Sequence, residues 1–258
     1  MNYNILISNY KRTHVLEYIR EQKKINPSFK VIDIGATADY TDWSYNIVDY
    51  VIDINEFPNK EVKTFKVNVN YENQWQEVFD YVKEHGKFDF CICSHTLEDL
   101  ALPAVTLKNM PLIAKEGFVS TPSKYRELSN VGGQPWLGYI HHRWIFTFKK
   151  EVFIALPKLN FIEHTRLREV GDSSQTISDL SFFWKDTLDY EVLNDDYMGP
   201  TVADVLDYYN ILLEDNLTIA PQWTNSLNTL PLEQPSILEQ ISETSQNSYT
   251  TEIQTVGL

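Results

Sequence analysis

Five short apolar runs between residues 30 and 122 constrain this chain more than any other feature. Lys30-Val31-Ile32-Asp33-Ile34-Gly35 and Tyr50-Val51-Ile52-Asp53-Ile54 are rich in β-branched residues and read as strands buried on both faces. Residues 64–70 alternate as a third strand should, and Phe88-Asp89-Phe90-Cys91-Ile92-Cys93 and Gly117-Phe118-Val119-Ser120-Thr121-Pro122 supply two more. Helical spacing appears at 14–24, through Val15, Leu16, Tyr18 and Ile19, and at 75–84, through Trp75, Val78, Phe79 and Val82; a further helix is expected over 103–112. This alternation predicts an α/β fold with a mostly parallel sheet and helices on both faces. Runs near 144–148 and 159–166 are expected to complete that sheet as an antiparallel C-terminal strand pair.

The charge of the chain is unevenly placed. Up to Lys185, the last basic residue, 22 basic side chains face 23 acidic ones, whereas residues 186–258 hold 13 acids and no base. Such a surface repels phosphate, so neither a nucleic-acid nor a membrane partner is expected, while the acidic C-terminal segment is a candidate surface for a protein partner. The division expected is an α/β domain over 1–170, an acidic extension over 171–222 with a helix near 200–215, and a polar tail over 223–258. No apolar stretch is long enough for a membrane helix and the start lacks the pattern of a secretory signal, which predicts a cytoplasmic protein. Cys91 and Cys93, two apart in a strand, point to one face and read as buried thiols.

In an open parallel sheet, ligands bind beyond the carboxyl ends of the strands, where strand order reverses. The first run ends in Asp33-Ile34-Gly35-Ala36, where glycine permits a tight turn and close approach of the backbone to a ligand. Eighteen residues after Gly35, Asp53 closes the second run, placed to accept hydrogen bonds from ribose hydroxyls. His95 follows the fourth run and is a candidate base or substrate contact, the alternative being a cap on a helix starting near Thr96. Glu98 and Asp99 would then be first-turn acids of that helix. Gly132, Gly133 and Gly138 precede His141-His142-Arg143-Trp144, in which either histidine is a candidate catalytic group, Arg143 a clamp for a substrate anion, and Trp144 core. Arg126 is a similar candidate for substrate binding.

The run Val31 to Gly35, the acid Asp53, and Phe88-Asp89-Phe90-Cys91-Ile92-Cys93-Ser94-His95-Thr96-Leu97-Glu98-Asp99-Leu100 together resemble class I S-adenosylmethionine-dependent methyltransferases. The segments Ser94-His95-Thr96-Leu97-Glu98-Asp99 and His141-His142-Arg143-Trp144 are similar to a bacterial and viral subgroup of that family. The resemblance spans about residues 28–150 and implies a Rossmann-like fold. It also implies S-adenosyl-L-methionine as cofactor, bound by Asp33, Gly35, Ala36, Asp53, Asn70, Ser94 and His95, and methyl transfer to a small-molecule or glycan-type acceptor. Only Gly35 stands in a first loop that usually holds two or three glycines, so a non-catalytic module acting through protein contacts is the alternative. A metal-dependent hydrolase using the histidine cluster is the second. Because neighbours in a strand face opposite ways, His141 and His142 are not expected to share an ion, and no metal ligands are assigned.

Overall fold

The computed structural model describes residues 4–8, 12–36, 43–172, 179–193 and 209–213. Its elements in chain order begin with β1 (Asn4–Ser8), α1 (Thr13–Ile25), β2 (Val31–Ile34), β3 (Tyr50–Asp53), β4 (Lys63–Lys66), α2 (Gln76–His85) and β5 (Phe88–Ser94). There follow α3 (Pro103–Ile113), β6 (Ala114–Pro122), the single turn α4 (Lys124–Glu127), β7 (Trp144–Lys149), β8 (Val152–Pro157), β9 (Asp179–Lys185) and β10 (Tyr190–Val192). Seven strands form one sheet in the order β1-β9-β6-β5-β2-β3-β4. The strands from β4 to β6 are mutually parallel, and β9 runs antiparallel to both of its neighbours. Numbered within this parallel set, the order is 3-2-1-4-5, that of Rossmann-like folds, with its reversal between β2 and β5. The fold is therefore of the expected class.

Side-chain alternation assigns the two faces. Val31, Val51, Phe90, Ile92, Phe118 and Phe183 pack beneath Val15 and Ile19 of α1 on one face. On the other, Ile32, Ile34, Cys91, Cys93, Val119 and Phe182 meet Val78 of α2 and Leu107, Met110 and Ile113 of α3. Both thiols are free and fully buried, and burial pushes each well above the usual thiol range. The last turn of α1 places Lys23 at its negative end, where Nζ also lies 2.7 Å from Asp49.

The C-terminal strand pair departs from expectation. β7 finds its antiparallel partner at once in β8, through a two-residue turn in which Lys150 has φ 57°, while Asn160–His164 is a 3-10 turn and no strand. The pair does not extend the central sheet. It joins β10 in a separate three-stranded sheet whose Phe146, Phe148 and Phe153 stack on the main core. The central sheet is instead completed by β9 and β1, so it continues past residue 170. Most of the helix expected near 200–215 lies outside the described residues, as does all of 223–258; Tyr209 and Leu212 are buried against Ile145, Ile154 and Leu156. Among the described residues, no helix is long and apolar enough to cross a membrane.

Candidate functional site

At the strand reversal the ends of β2 and β3 lie to one side and those of β5 and β6 to the other. Gly35, at φ +75°, turns the chain sharply away from β2, and a Cβ there would collide with the side chain of Thr96. Thr96 Oγ1 donates to the Ile34 carbonyl at 3.1 Å, so the two strand ends are fastened together at the reversal. Asp53 lies at the end of β3, half-buried, and its Oδ1 accepts from the backbone N–H of Asn55 at 2.7 Å. Ala36 is buried in the α1 face. Asp33 is also buried and accepts from Ser44 Oγ at 2.6 Å. Ser94 Oγ is buried without a hydrogen-bond partner among the described residues.

Asn70 is committed on both sides. Its Nδ2 donates to Asn68 Oδ1 at 3.0 Å, and its Oδ1 accepts from the Leu102 N–H at 2.8 Å, joining the turn after β4 to the approach to α3. Asn70→Ala should therefore lower stability by about 1 kcal/mol in urea denaturation, since it frees a backbone donor. An unchanged midpoint would show this link to be idle.

Beyond β5 the chain does not enter a helix. Residues 97–99 form a turn, with Asp99 N–H donating to the Thr96 carbonyl at 3.2 Å, and α3 begins only at Pro103. His95 therefore caps nothing, and Glu98 and Asp99 are not helix-terminal acids. His95 itself has φ 53°, a conformation that a residue with a Cβ adopts at a cost. Its imidazole bridges two carboxylates, Nδ1 lying 3.2 Å from Glu98 Oε1 and Nε2 3.5 Å from Asp179 Oδ1. Burial by itself pulls the imidazole pKa down; the polar contacts and negative charges of Asp179 and Glu98 outweigh it and raise the value to about 9. His95 is thus a cation at neutral pH.

These groups line a cavity of about 280 Å³ together with Asp99, Pro122, Arg126, Tyr139, His141 and His142. Arg126 lies along the Tyr139 ring and donates to its hydroxyl at 3.1 Å. Glu98 is 1% exposed, and neither of its carboxylate oxygens makes a well-aligned hydrogen bond among the described residues. His142 is nearly buried, with Nδ1 2.5 Å from Glu127 Oε1, and Glu127 in turn accepts from Lys158 Nζ at 2.6 Å. His141 is mostly exposed at the cavity mouth. Of the residues singled out in the sequence, His95, Glu98, Asp99, Arg126, His141 and His142 come together here, whereas Asp33, Gly35 and Asp53 belong to the β2 and β3 ends and Asn70 to the turn after β4. Arg143 is exposed and outside the cavity lining, its backbone N–H donating to the Glu98 carbonyl at 2.7 Å. Asp179 and Glu127 had not been singled out. Each reaches the site across a long chain separation, which leaves no periodicity to read.

No family model and no curated protein matches the chain. Among solved structures it is similar to the N-terminal domain of EvdMO1 with SAH bound, at 11% identity over 68% of this chain and 84% of that one, with a TM-score of 0.33. It is also similar to a cyclopropane-fatty-acyl-phospholipid synthase-like protein from Lactobacillus casei, at 10% identity over 70% of this chain and 96% of that one, TM-score 0.32. A third is MycE Methyltransferase from the Mycinamycin Biosynthetic Pathway in complex with Mg and SAH, at 10% identity over 77% of this chain and 52% of that one, TM-score 0.33. These likenesses are slight. The fold is read from the strand order of the sheet.

Proposed function

We propose that the chain is an S-adenosyl-L-methionine-dependent methyltransferase, with the cofactor at the ends of β2 and β3 and a small-molecule or glycan-type acceptor in the cavity beyond β5 and β6. The observation that carries this reading is the pairing, across one strand reversal, of the Gly35 turn and Asp53 with an acid-flanked imidazole in a cavity. The residues present fit the cofactor in part. Asp53 Oδ2 makes no hydrogen bond among the described residues and can meet a ribose hydroxyl, whereas Asp33 and Asn70 are already engaged within the fold, and Gly35 has its N–H on the Ile52 carbonyl and Thr96 against its Cα.

When bound, the cofactor supplies an electrophilic methyl group on a sulfonium. The chain's own residues align the acceptor and manage its proton. An acceptor hydroxyl most readily displaces the longer contact of His95, that to Asp179, and takes its place at Nε2. Losing that carboxylate partner lowers the His95 pKa, so that the Nε2 proton passes to the displaced Asp179 carboxylate or to water and the neutral ring can then accept the acceptor's proton. Glu98 keeps the ring in place through Nδ1.

The test is calorimetric titration of the intact chain and of Asp53→Ala with S-adenosylmethionine and S-adenosylhomocysteine. Binding that weakens about tenfold or more in a variant of unchanged melting temperature is expected, because the lost hydrogen bonds are to a charged group. No binding by the folded intact chain would overturn the reading.

A further inference from the structure

We propose that Asp99, His141 and His142 form a binding site for a divalent transition metal of the zinc class at the mouth of the cavity. A nitrogen or carboxylate oxygen from each of the three lies within 4.8 Å of the others. His141 Nε2 is 3.9 Å and His142 Nε2 4.0 Å from the same oxygen, Asp99 Oδ1. These separations are too long for hydrogen bonds, and they leave a gap about one ion wide between atoms that each bind zinc at about 2.0–2.2 Å. Small rotations of Asp99 and His141, both exposed, close the remaining difference. Adjacent histidines converge here because residues 139–142 are a turn, closed by the His142 N–H donating to the Tyr139 carbonyl, so strand alternation does not apply. The expectation that these two rings would face opposite ways is thereby corrected.

Two further observations separate this cluster from a solvated surface group. His142 is held through Nδ1 by the buried carboxylate of Glu127, itself fixed by Lys158, which leaves Nε2 as the ring nitrogen that faces Asp99. A carboxylate behind a ligating histidine is the usual outer support of a metal site. Gly138, at φ +59°, lets the chain pass so close that any Cβ would strike Glu127 and Lys158, and the Tyr139 ring packs at 4.7 Å on His142. Secondly, the buried Glu98 carboxylate lines the same cavity, and among the described residues neither of its oxygens makes a well-aligned hydrogen bond. A cation nearby relieves that charge.

Two imidazoles and one carboxylate favour zinc, cobalt or nickel over magnesium or calcium, which prefer oxygen ligands alone. Three protein ligands leave a coordination position open toward the cavity, where a water or hydroxyl oxygen would be acidified. The site stands independently of methyl transfer.

The experiment uses the full chain stripped of metal and titrated with zinc alone against a chromogenic chelator, with no S-adenosyl compound present, and the visible spectrum of the cobalt form is recorded in parallel. One equivalent of zinc and a tetrahedral cobalt spectrum are expected. His141→Ala and Asp99→Ala, both surface changes, should each weaken binding about tenfold or more, and Glu127→Gln about 10–100-fold through the misplaced His142 ring. Zinc affinity equal in the intact chain and in the Asp99→Ala/His141→Ala double variant would mean adventitious binding at other histidines and would overturn the proposal, as would binding of magnesium in preference to zinc.

Discussion

Glu127→Ala should be the most damaging single change in the site, lowering unfolding free energy by about 3–5 kcal/mol in chemical denaturation. Glu127 is 1% exposed, and its two oxygens serve two separate partners, His142 Nδ1 and Lys158 Nζ. Truncation leaves the nearly buried Lys158 ammonium, among the described residues, with the Tyr139 carbonyl at 2.8 Å alone, and leaves the His142 ring without its anchor. The cost is that of an uncompensated buried charge, which exceeds the net worth of the intact pair. Two companions test this origin. Glu127→Gln keeps one acceptor oxygen, for Lys158, and gives up the one that holds His142 Nδ1, so it should lose less than the alanine variant, while Lys158→Met placed on Glu127→Leu should recover part of the loss by removing both charges. A fall below about 1 kcal/mol for Glu127→Ala would show that the pair is effectively solvated.

The second large effect is a pH dependence. His95 is raised from 6.5 to about 9 in the folded chain, so below pH 6.5 it is protonated whether folded or not, and its contribution to stability is complete. Between those values the unfolded chain has released the proton and the folded chain still holds it, and the contribution falls with rising pH until it is gone above about 9. The stability difference between the intact chain and His95→Asn should shrink across this window by up to about 3 kcal/mol. Glu98, Asp179, Asp99, Arg126, His141 and His142 share the cavity, and comparison with the variant cancels their own titrations to first order. An imidazole proton resonance with its midpoint near 6.5 would sink the argument.

Much of the central fold was legible because β2, β3, β5 and β6 are buried on both faces and so are nearly continuous apolar runs. The strands that complete the sheet were not. Asp179-Leu180-Ser181-Phe182-Phe183-Trp184-Lys185 mixes the two face patterns, and its place beside β6 follows from long-range pairing that no local rule encodes. The misplaced strand at 159–166 has the same cause in reverse, since β8 had already taken the pairing edge of β7. At the site, His95, Arg126 and the two histidines were visible as chemistry-bearing residues beside glycine-rich or strand-terminal segments. Their arrangement was hidden by one local error, the application of strand alternation to His141 and His142, which lie in a turn closed on the Tyr139 carbonyl before β7 begins at Trp144.

The position of β1 imposes an order on assembly. Strands β2 to β6 lie contiguous in the chain and can pair as soon as residue 122 has been made, but β6 then presents a bare edge until β9 arrives. β1, synthesised before all of them, pairs with β9, Asn4 opposite Phe183, and must wait for it. At ribosomal speed the nascent chain spends roughly several seconds with the Phe118 and Val119 strand open to any other extended segment. Truncation anywhere before residue 185 makes that interval permanent, so shortened forms of this protein should accumulate as aggregates even where the five parallel strands have formed.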